Sequence, residues 1–209
     1  MKPEILELWK KFCREDDTKA FERVYYVLFK KLIKFCIYYI GHKEPAEEIV
    51  SEIFVKCWNN RKSLADIESP ETYLHVAVKN QSIKYNQKFS SIHLVDIDDT
   101  DDFLLVDKND PVKKLETKEL HHQLDIAIET LPQQAKLIFR LIKENGLKYK
   151  EVAEILDISP RTVQTQLFRA IAKLRVVLHS DYKKKGDFPK DKLLGLIIIF
   201  LGKIYFYTL

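Results

Sequence analysis

The sequence predicts an all-α protein made of two small helical domains that are joined by an acidic linker. Three observations support this fold class. Only five glycines occur in 209 residues, and apolar residues recur at intervals of three and four through most of the chain. The segment 96–102, which reads DIDDTDD, interrupts that periodicity. Long helices account for the first two observations, and a segment of poor helix formers between them marks a domain boundary.

The helices of the first predicted domain follow one another with clear start and stop signals. One runs from Lys19 to Ile40 and ends at Gly41. The next opens at Glu44-Pro45, where proline suits a first turn. A third starts at Ser69-Pro70, with serine as the N-cap residue. Its inner face is predicted to consist of Tyr73, Leu74, Ala77, Val78 and Ile83.

The composition excludes several classes of enzyme. The glycines are too far apart for a P-loop or a dinucleotide fingerprint. Cys13, Cys36 and Cys57 are widely spaced and odd in number, which argues against a disulfide framework and CxxC metal chemistry. The N-terminus is charged and has no apolar signal core. We therefore expect a cytoplasmic protein that has no cofactor and no catalytic activity of its own.

One pair of histidines could suggest a metal site. His121 and His122 lie near Glu119 and Asp125, and helical spacing brings such groups together. A third strong ligand is missing, and an exposed polar helix face explains the same pattern. The sequence therefore predicts no metal.

The charge distribution supports a division of the chain into four segments. Residues 90–111 contain seven acidic residues and one basic residue, whereas the blocks on either side are mildly basic. This basicity permits nucleic-acid binding without requiring it. We predict a first domain at 1–92, a linker at 93–111, a second domain at 112–182 and a basic, then hydrophobic tail at 183–209.

The sharpest pattern lies in the second predicted domain. A short helix from Tyr149 to Leu156 is followed by the turn Asp157-Ile158-Ser159. Ser159 caps and Pro160 opens another helix, and the small Ala153 allows the two helices to approach closely. This is the layout of a helix-turn-helix, whose second helix lies in the major groove of duplex DNA.

The outer face of that second helix has the composition expected for DNA binding. No acidic residue occurs from Ser159 to Ser180. Residues of the first turns are predicted to meet base edges, and basic or polar residues beside them to reach phosphates. The alternative is a plain helical hairpin with a solvated basic face. The predicted contacts to duplex DNA are Lys148, Lys150, Arg161, Thr162, Gln164, Thr165, Gln166, Arg169 and Lys173.

Two longer stretches resemble a known family. Residues 46–61, AEEIVSEIFVKCWNNR, and 69–88, SPETYLHVAVKNQSIKYNQK, resemble region two of extracytoplasmic-function (ECF) sigma factors. Residues 131–175, from LPQQAKLIFR to AIAKLR, resemble their region four. The resemblance covers roughly residues 10–180, with the two regions in the family's order and an acidic linker between them.

The resemblance implies that region two docks on the clamp helices of core RNA polymerase. An acidic, exposed flank of the second helix fits that role, and its members are Glu47, Glu48 and Glu52. Glu48 and Glu52 form an i,i+4 pair of like charges that a basic partner would relieve. The alternative is that this flank is only a solvated face.

The resemblance also implies that the helix after Ser69-Pro70, with the preceding loop 59–68, opens the minus-ten element and captures an extruded base. Its acid-free end carries basic, polar and aromatic residues that suit unpaired DNA. The family usually ends this helix with an aspartate and consecutive arginines, which this chain lacks. Lys148 likewise replaces a small hydroxyl residue. The predicted contacts to the melted element are Lys79, Asn80, Lys84, Tyr85, Gln87 and Lys88.

The predicted function is that of a sigma factor that binds core RNA polymerase and directs promoter recognition and transcription initiation. An anti-sigma factor is a further partner implied by the resemblance. One alternative is a helix-turn-helix repressor or activator that acts without polymerase, although the acidic flank beside an acid-free helix would then have no purpose. A helical adaptor protein is a second alternative, and it leaves the acid-free outer helix unexplained.

The hydrophobic tail has three open interpretations. Its uninterrupted apolar run, residues 193–202, is shorter than the roughly 20 residues that a membrane-spanning helix needs, and Lys203 ends it. The tail could pack onto a DNA-binding domain of the same chain, bind a partner, or attach weakly to a membrane surface with help from Lys183, Lys184 and Lys185. We expect the first, since a free end of this composition would expose a large apolar patch.

Overall fold

The computed structural model describes residues 2–89 and 124–185. All regular elements in these two ranges are helical, which confirms the predicted all-α class. The chain divides into two compact units, one built mainly of residues 1–100 and the other mainly of residues 101–209. The helices are α1 (Lys2–Glu15), α2 (Thr18–Ile40), α3 (Lys43–Asn59), the 3-10 helix η1 (Arg61–Leu64), α4 (Pro70–Phe89), α5 (124–129), α6 (Gln133–Lys143), α7 (Tyr149–Leu156) and α8 (Pro160–Lys185).

Some of the sequence predictions fall on residues that the structure does not describe. The acidic linker, with His121, His122 and Glu119, lies in the range 90–123, and the apolar tail lies in the range 186–209. The proposed limits of the domains therefore stay predictions. Among the described helices, none is long and apolar enough to cross a membrane.

Helix α2 is the centre of the first unit and packs against α1, α3 and α4. The Asp17 side chain begins it by accepting hydrogen bonds from the backbone amides of Lys19 (2.9 Å) and Ala20 (3.1 Å). Gly41 ends it in the left-handed conformation, at φ 78°, and donates its N–H to the carbonyl of Ile37. The predicted bounds of this helix are thus correct to within one residue.

An aromatic cluster joins α1, α2 and α3. The ring centroids of Phe12 and Phe21 are 4.7 Å apart, those of Phe21 and Trp58 are 5.0 Å apart, and those of Tyr25 and Phe54 are 4.9 Å apart. One of these pairs is tilted and the other two are edge-to-face, an arrangement that aromatic quadrupoles favour. These ring contacts help to fix the three helices against one another.

The buried face of α4 differs from the predicted one. Ile83 was expected to point inward but is exposed, whereas Thr72, His75 and Ser82 are buried. Apart from Thr72, the buried residues named here and their buried neighbours recur at the helical spacing 71, 74, 75, 78 and 82. Ile83 lies about 100° around the helix from Ser82. The prediction was correct for Leu74 and Val78, which are fully buried, and wrong for Ile83, because polar residues such as His75 and Ser82 share the inner face.

The buried polar groups of α4 have hydrogen-bond partners, which is why they are tolerated. His75 Nδ1 lies 2.7 Å from the carbonyl oxygen of Glu71. Ser82 Oγ donates to the carbonyl of Val78 at 2.8 Å and lies 3.2 Å from Cys36 Sγ of α2. A satisfied buried polar group costs little compared with an unsatisfied one. Helix α4 is therefore held to α2 partly through polar contacts.

Helices α5 to α8 lie mainly in the second unit, where α6 packs against α8. Helices α7 and α8 begin at Tyr149 and Pro160, as the sequence predicted. Their facing side chains are buried, and Val152, Ile155 and Val163 are fully inaccessible to solvent. Leu141 and Ile138 of α6 complete this core. The predicted helix-turn-helix is therefore present, on a support formed by α6.

The three cysteines offer a test of the first unit's packing. All three are buried, and burial raises the pKa of Cys13 to about 11 and that of Cys57 to about 12. It also raises the pKa of Cys36, although a hydrogen bond with Ser82 opposes the rise. Because the thiolate is the reactive form, we expect iodoacetamide at pH 8 to label the native chain roughly a hundredfold more slowly than the urea-unfolded chain. Rapid labelling of the native protein would contradict this packing.

Candidate nucleic-acid interface

The turn between α7 and α8 fixes the start of the outer helix. Asp157 adopts a left-handed conformation, at φ 57°, and the N–H of Ile158 donates to the carbonyl of Ala153 at 3.0 Å. Ser159 Oγ then accepts the backbone N–H of Thr162 at 3.0 Å and lies 2.8 Å from its hydroxyl oxygen. The serine predicted as the N-cap is thus confirmed, and it holds Thr162 in place through two contacts.

Helix α8 has one buried side and one solvent-facing side over its first three turns. Val163, Leu167 and Ala170 are buried. Over these turns, four of the predicted DNA-contacting residues are exposed, and two are half-buried. The exposed ones are Arg161, Gln164, Thr165 and Arg169, and the half-buried ones are Thr162 and Gln166.

The hydroxyl of Thr165 can act only as a hydrogen-bond acceptor toward a ligand at this face, because its hydrogen is already donated within α8. It donates its hydrogen to the carbonyl of Arg161 at 2.9 Å. Its remaining lone pairs can accept a hydrogen bond from a base or from water. The guanidinium of Arg161 contributes the positive charge at the first turn of the helix.

Lys173 lies farther along α8 and is bound within the protein. Its ammonium group donates to the carbonyl oxygen of Thr130, which follows α5. The predicted phosphate contact therefore has an internal partner in this structure, although the side chain is exposed. A lysine in this position stabilises the connection between α5 and α8 as well as supplying charge.

The entry to α7 explains how Lys148 can stand where the family commonly has a small hydroxyl residue. The carboxylate of Glu151 accepts the backbone N–H of Lys148 at 2.6 Å. This is one half of a capping box, made by the residue three positions into the helix rather than by the N-cap side chain. The Lys148 side chain is left exposed, as is that of Lys150.

The second candidate surface lies at the end of α4 in the first unit. Asn80, Lys84, Gln87 and Lys88 are exposed, and Lys79 and Tyr85 are half-buried. The side-chain amide of Asn86 donates to the carbonyl of Tyr39 at 2.8 Å and so ties this end of α4 to the end of α2. Asn86 was not singled out from the sequence, because an asparagine in a polar stretch carries no distinctive signal.

The loop between α3 and α4 is ordered by its own hydrogen bonds. Ser63 donates both its N–H (3.0 Å) and its hydroxyl (2.8 Å) to the carbonyl of Asn60. The guanidinium of Arg61 lies 5.3 Å from the ring centroid of Trp58 and donates to the Trp58 carbonyl at 2.9 Å. Sequence reasoning missed Arg61, although an arginine three residues after a tryptophan is a spacing that brings the two groups together.

The acidic flank of α3 is partly neutralised within its own helix. Lys43 Nζ lies 4.0 Å from Glu47, and Lys56 Nζ lies 3.2 Å from Glu52. Such exposed i,i+4 pairs contribute only a few tenths of a kcal/mol. Glu48 is exposed between them and carries the flank's excess negative charge. In ranges 2–89 and 124–185, no group of three or more histidine, cysteine or acidic residues could hold a metal ion.

Two family models match the chain in the order that the units appear. The model of Sigma-70 region 2 matches residues 28–88, which belong to the first unit. The model of Sigma-70 region 4 matches residues 121–174, which include the helix-turn-helix. Together the two matches cover more than half of the chain.

Curated relatives match across both units. RNA polymerase sigma factor SigV of Bacillus subtilis is 29% identical over 140 residues, which are 67% of this chain and 80% of the relative. The ECF sigma factor SigX of the same organism is 26% identical, covering 75% of this chain and 82% of the relative. The ECF sigma-E factor of Escherichia coli K12 is 26% identical, covering 75% and 85% respectively.

A solved structure supports the fold. It is that of CnrH in complex with the cytosolic domain of CnrY. The match covers 85% of this chain and 99% of that chain, with a TM-score of 0.52 and 16% sequence identity. The helical architecture, the two region models and the curated relatives agree. The chain belongs to the ECF-type sigma factors of RNA polymerase.

Proposed function

We propose that this chain binds core RNA polymerase and directs it to promoters, with its helix-turn-helix on the minus-thirty-five element and its first unit on the melted minus-ten element. The observation that carries the proposal is the acid-free, solvent-facing side of α8 over residues 160–178, which follows a capped turn. Its occurrence with a region-two match on the same chain favours a sigma factor over a repressor that acts without polymerase.

At the upstream element, the burial pattern supports a division between base and phosphate contacts. Arg161 and Thr165 lie in the first two turns of α8, the part of a recognition helix that meets base edges. Arg169 is exposed two turns later and suits a phosphate. The exposed Lys148 and Lys150 at the start of α7 suit the backbone on the other side of the turn.

At the melted element, α4 offers a polar surface with limited positive charge. Lys84 and Lys88 are exposed there, and half-buried Tyr85 presents an aromatic side chain beside them. Lysines that follow a backbone and aromatic rings on which bases stack are the usual components of single-strand binding. The same surface contains exposed Ile83, which adds an apolar contact.

An anti-sigma factor is the further partner that we propose. The solved structure with the same fold contains CnrH in complex with the cytosolic domain of CnrY. A protein of this family that waits for a signal needs to be withheld from polymerase, and a bound partner does this by mass action. The chain's exposed apolar residues, such as Tyr26 and Val55, are available for such contacts.

The first prediction tests the function itself. When the purified chain is mixed with sigma-free core RNA polymerase and a library of promoters, we expect a stable complex and transcripts that start from a subset of the templates. Size-exclusion chromatography and sequencing of transcript ends measure the two results. A chain that binds library DNA but never associates with core would instead be a polymerase-independent regulator.

The acidic flank provides a second prediction. Charge reversal by Glu48→Lys should weaken the association with core about fivefold to fiftyfold, because a buried or partly buried charge contact is worth about 1–2.5 kcal/mol. Glu22→Lys, on the exposed side of α2, makes the same change in net charge and is the matched control. Equal effects of the two variants in a core-binding titration would show that net charge, and not this flank, matters.

The recognition helix provides a third prediction. Arg161→Ala should relax sequence preference at the upstream element, with a loss of about 1–3 kcal/mol if the side chain makes a bidentate base contact. Arg169→Ala should weaken binding evenly across sequences and reduce the salt slope by about one unit. Lys173→Ala is a less specific probe, because it also removes the hydrogen bond to Thr130. If Arg161→Ala and Arg169→Ala act alike on every promoter, the division of roles is wrong.

A further inference from the structure

The N-terminal helix α1 makes side-chain contacts with the loop that connects α3 and α4. Trp9 is fully buried, and its indole N–H donates to the carbonyl oxygen of Leu64 at 3.0 Å. The same carbonyl accepts the backbone N–H of Ile67 at 3.2 Å. One acceptor therefore closes a turn of the loop and fastens that turn to α1, although the residues are 55 positions apart in sequence.

The residue that follows the end of α1 makes a second contact with the loop. The carboxylate of Asp16 forms an ion pair with Arg61 Nε. Arg61 is only about a quarter exposed, since its guanidinium also lies over the ring of Trp58. A cation held between a carboxylate, a carbonyl and an aromatic face loses most of its rotational freedom. A third pair, Arg14 with Asp66 at 3.4 Å, is largely exposed and contributes little.

We propose that α1 is a positioning element for promoter recognition: Trp9 and Asp16 hold the loop of residues 60–68 in one conformation before DNA arrives. The inference rests on the proposed function, in which this loop and α4 meet the melted element. A loop that is already ordered does not have to be immobilised on binding, so more of the contact energy appears as affinity and selectivity. Neither Trp9 nor Asp16 needs to touch DNA for this effect.

The variants that test the proposal remove single contacts and keep the local structure. Trp9→Phe removes the indole donor and keeps an aromatic ring beside Phe12 and Tyr73, whose centroids lie 5.8 and 6.3 Å from that of Trp9. Asp16→Asn removes the carboxylate charge at a residue with φ 55°, a conformation that asparagine tolerates well. Both variants are made in the full chain.

Two controls separate positioning from general stability. Glu7→Gln removes a carboxylate from an ion pair within α1, with Lys11 at 3.2 Å. Val24→Ala removes two methyl groups from the fully buried side of α2, so it lowers stability without touching the loop. Thermal unfolding of all four variants places them on one stability scale.

The main measurement is selectivity at the melted element. Each variant is assembled with core polymerase and transcribes a promoter library randomised over that element. We expect Trp9→Phe and Asp16→Asn to reduce discrimination between preferred and disfavoured bases roughly threefold to tenfold, the effect of one lost hydrogen bond or ion pair. Glu7→Gln and Val24→Ala should leave it unchanged, and all variants should bind core equally. Unchanged discrimination in Trp9→Phe and Asp16→Asn, or an equal loss in Val24→Ala, would overturn the proposal.

Amide hydrogen exchange of the free chain tests the same proposal without polymerase. The N–H groups of Ser63 and Ile67 are hydrogen-bonded inside the loop. We expect Trp9→Phe to increase their exchange rates at least threefold, and Glu7→Gln to have no effect. If loop exchange did not change, the positioning role would be wrong even where transcription was normal. If exchange rose but the wild-type chain gave no promoter-specific transcripts, the proposed function would fail and α1 would still order the loop.

Discussion

The aromatic contacts between α1, α2 and α3 are the interaction on which the first unit depends. Phe12 lies between Phe21 of α2 and Trp58 of α3, at centroid distances of 4.7 and 5.7 Å. The rings combine a large buried area with preferred mutual angles, so they fix both the distances and the orientations of the helices. Because α3 leads into η1 and then into α4, the position of Trp58 determines where the following loop begins. The candidate surface on α4 is thereby built on a core that consists mainly of apolar and aromatic side chains.

The described part of the fold was largely predictable from the sequence, because its helices have strong local signals. Gly41 and the Ser159-Pro160 pair are stop and start signals that act within one turn of the chain. The inner face of α4 was less predictable. Its buried side includes His75 and Ser82, whose polarity argues for exposure until their partners in the chain are known. Periodicity identifies a helix reliably, but it misplaces the buried stripe when polar residues find internal acceptors.

The residues of the candidate site could be predicted from the sequence, but the hydrogen bonds that link them to the rest of the protein could not. An acid-free outer helix was visible from residues 159–180, and most of the named side chains on it are exposed. Nothing in the sequence indicated that Lys173 would bind the carbonyl of Thr130, or that Trp9 would reach Leu64. These contacts join residues 43 and 55 positions apart, and such pairings depend on the packing angles of whole helices. A sequence pattern indicates which face of a helix is exposed, whereas the hydrogen-bond partner of a side chain can be identified only from the tertiary structure.

Four residues in the described ranges have positive φ angles, and each follows the end of a helix: Asp16, Gly41, Gly146 and Asp157. The left-handed conformation costs an L-amino acid roughly 1–2 kcal/mol, whereas glycine adopts it routinely and asparagine and aspartate adopt it more readily than other residues. Consecutive helices are separated by only two to five residues at these places, so the chain changes direction there through a left-handed residue. We therefore expect homologous sequences to vary freely in the polar residues around these junctions. At positions 16, 41, 146 and 157, however, they should have glycine, asparagine or aspartate. That restriction would be imposed by backbone chirality, and it would persist in relatives that recognise entirely different promoters.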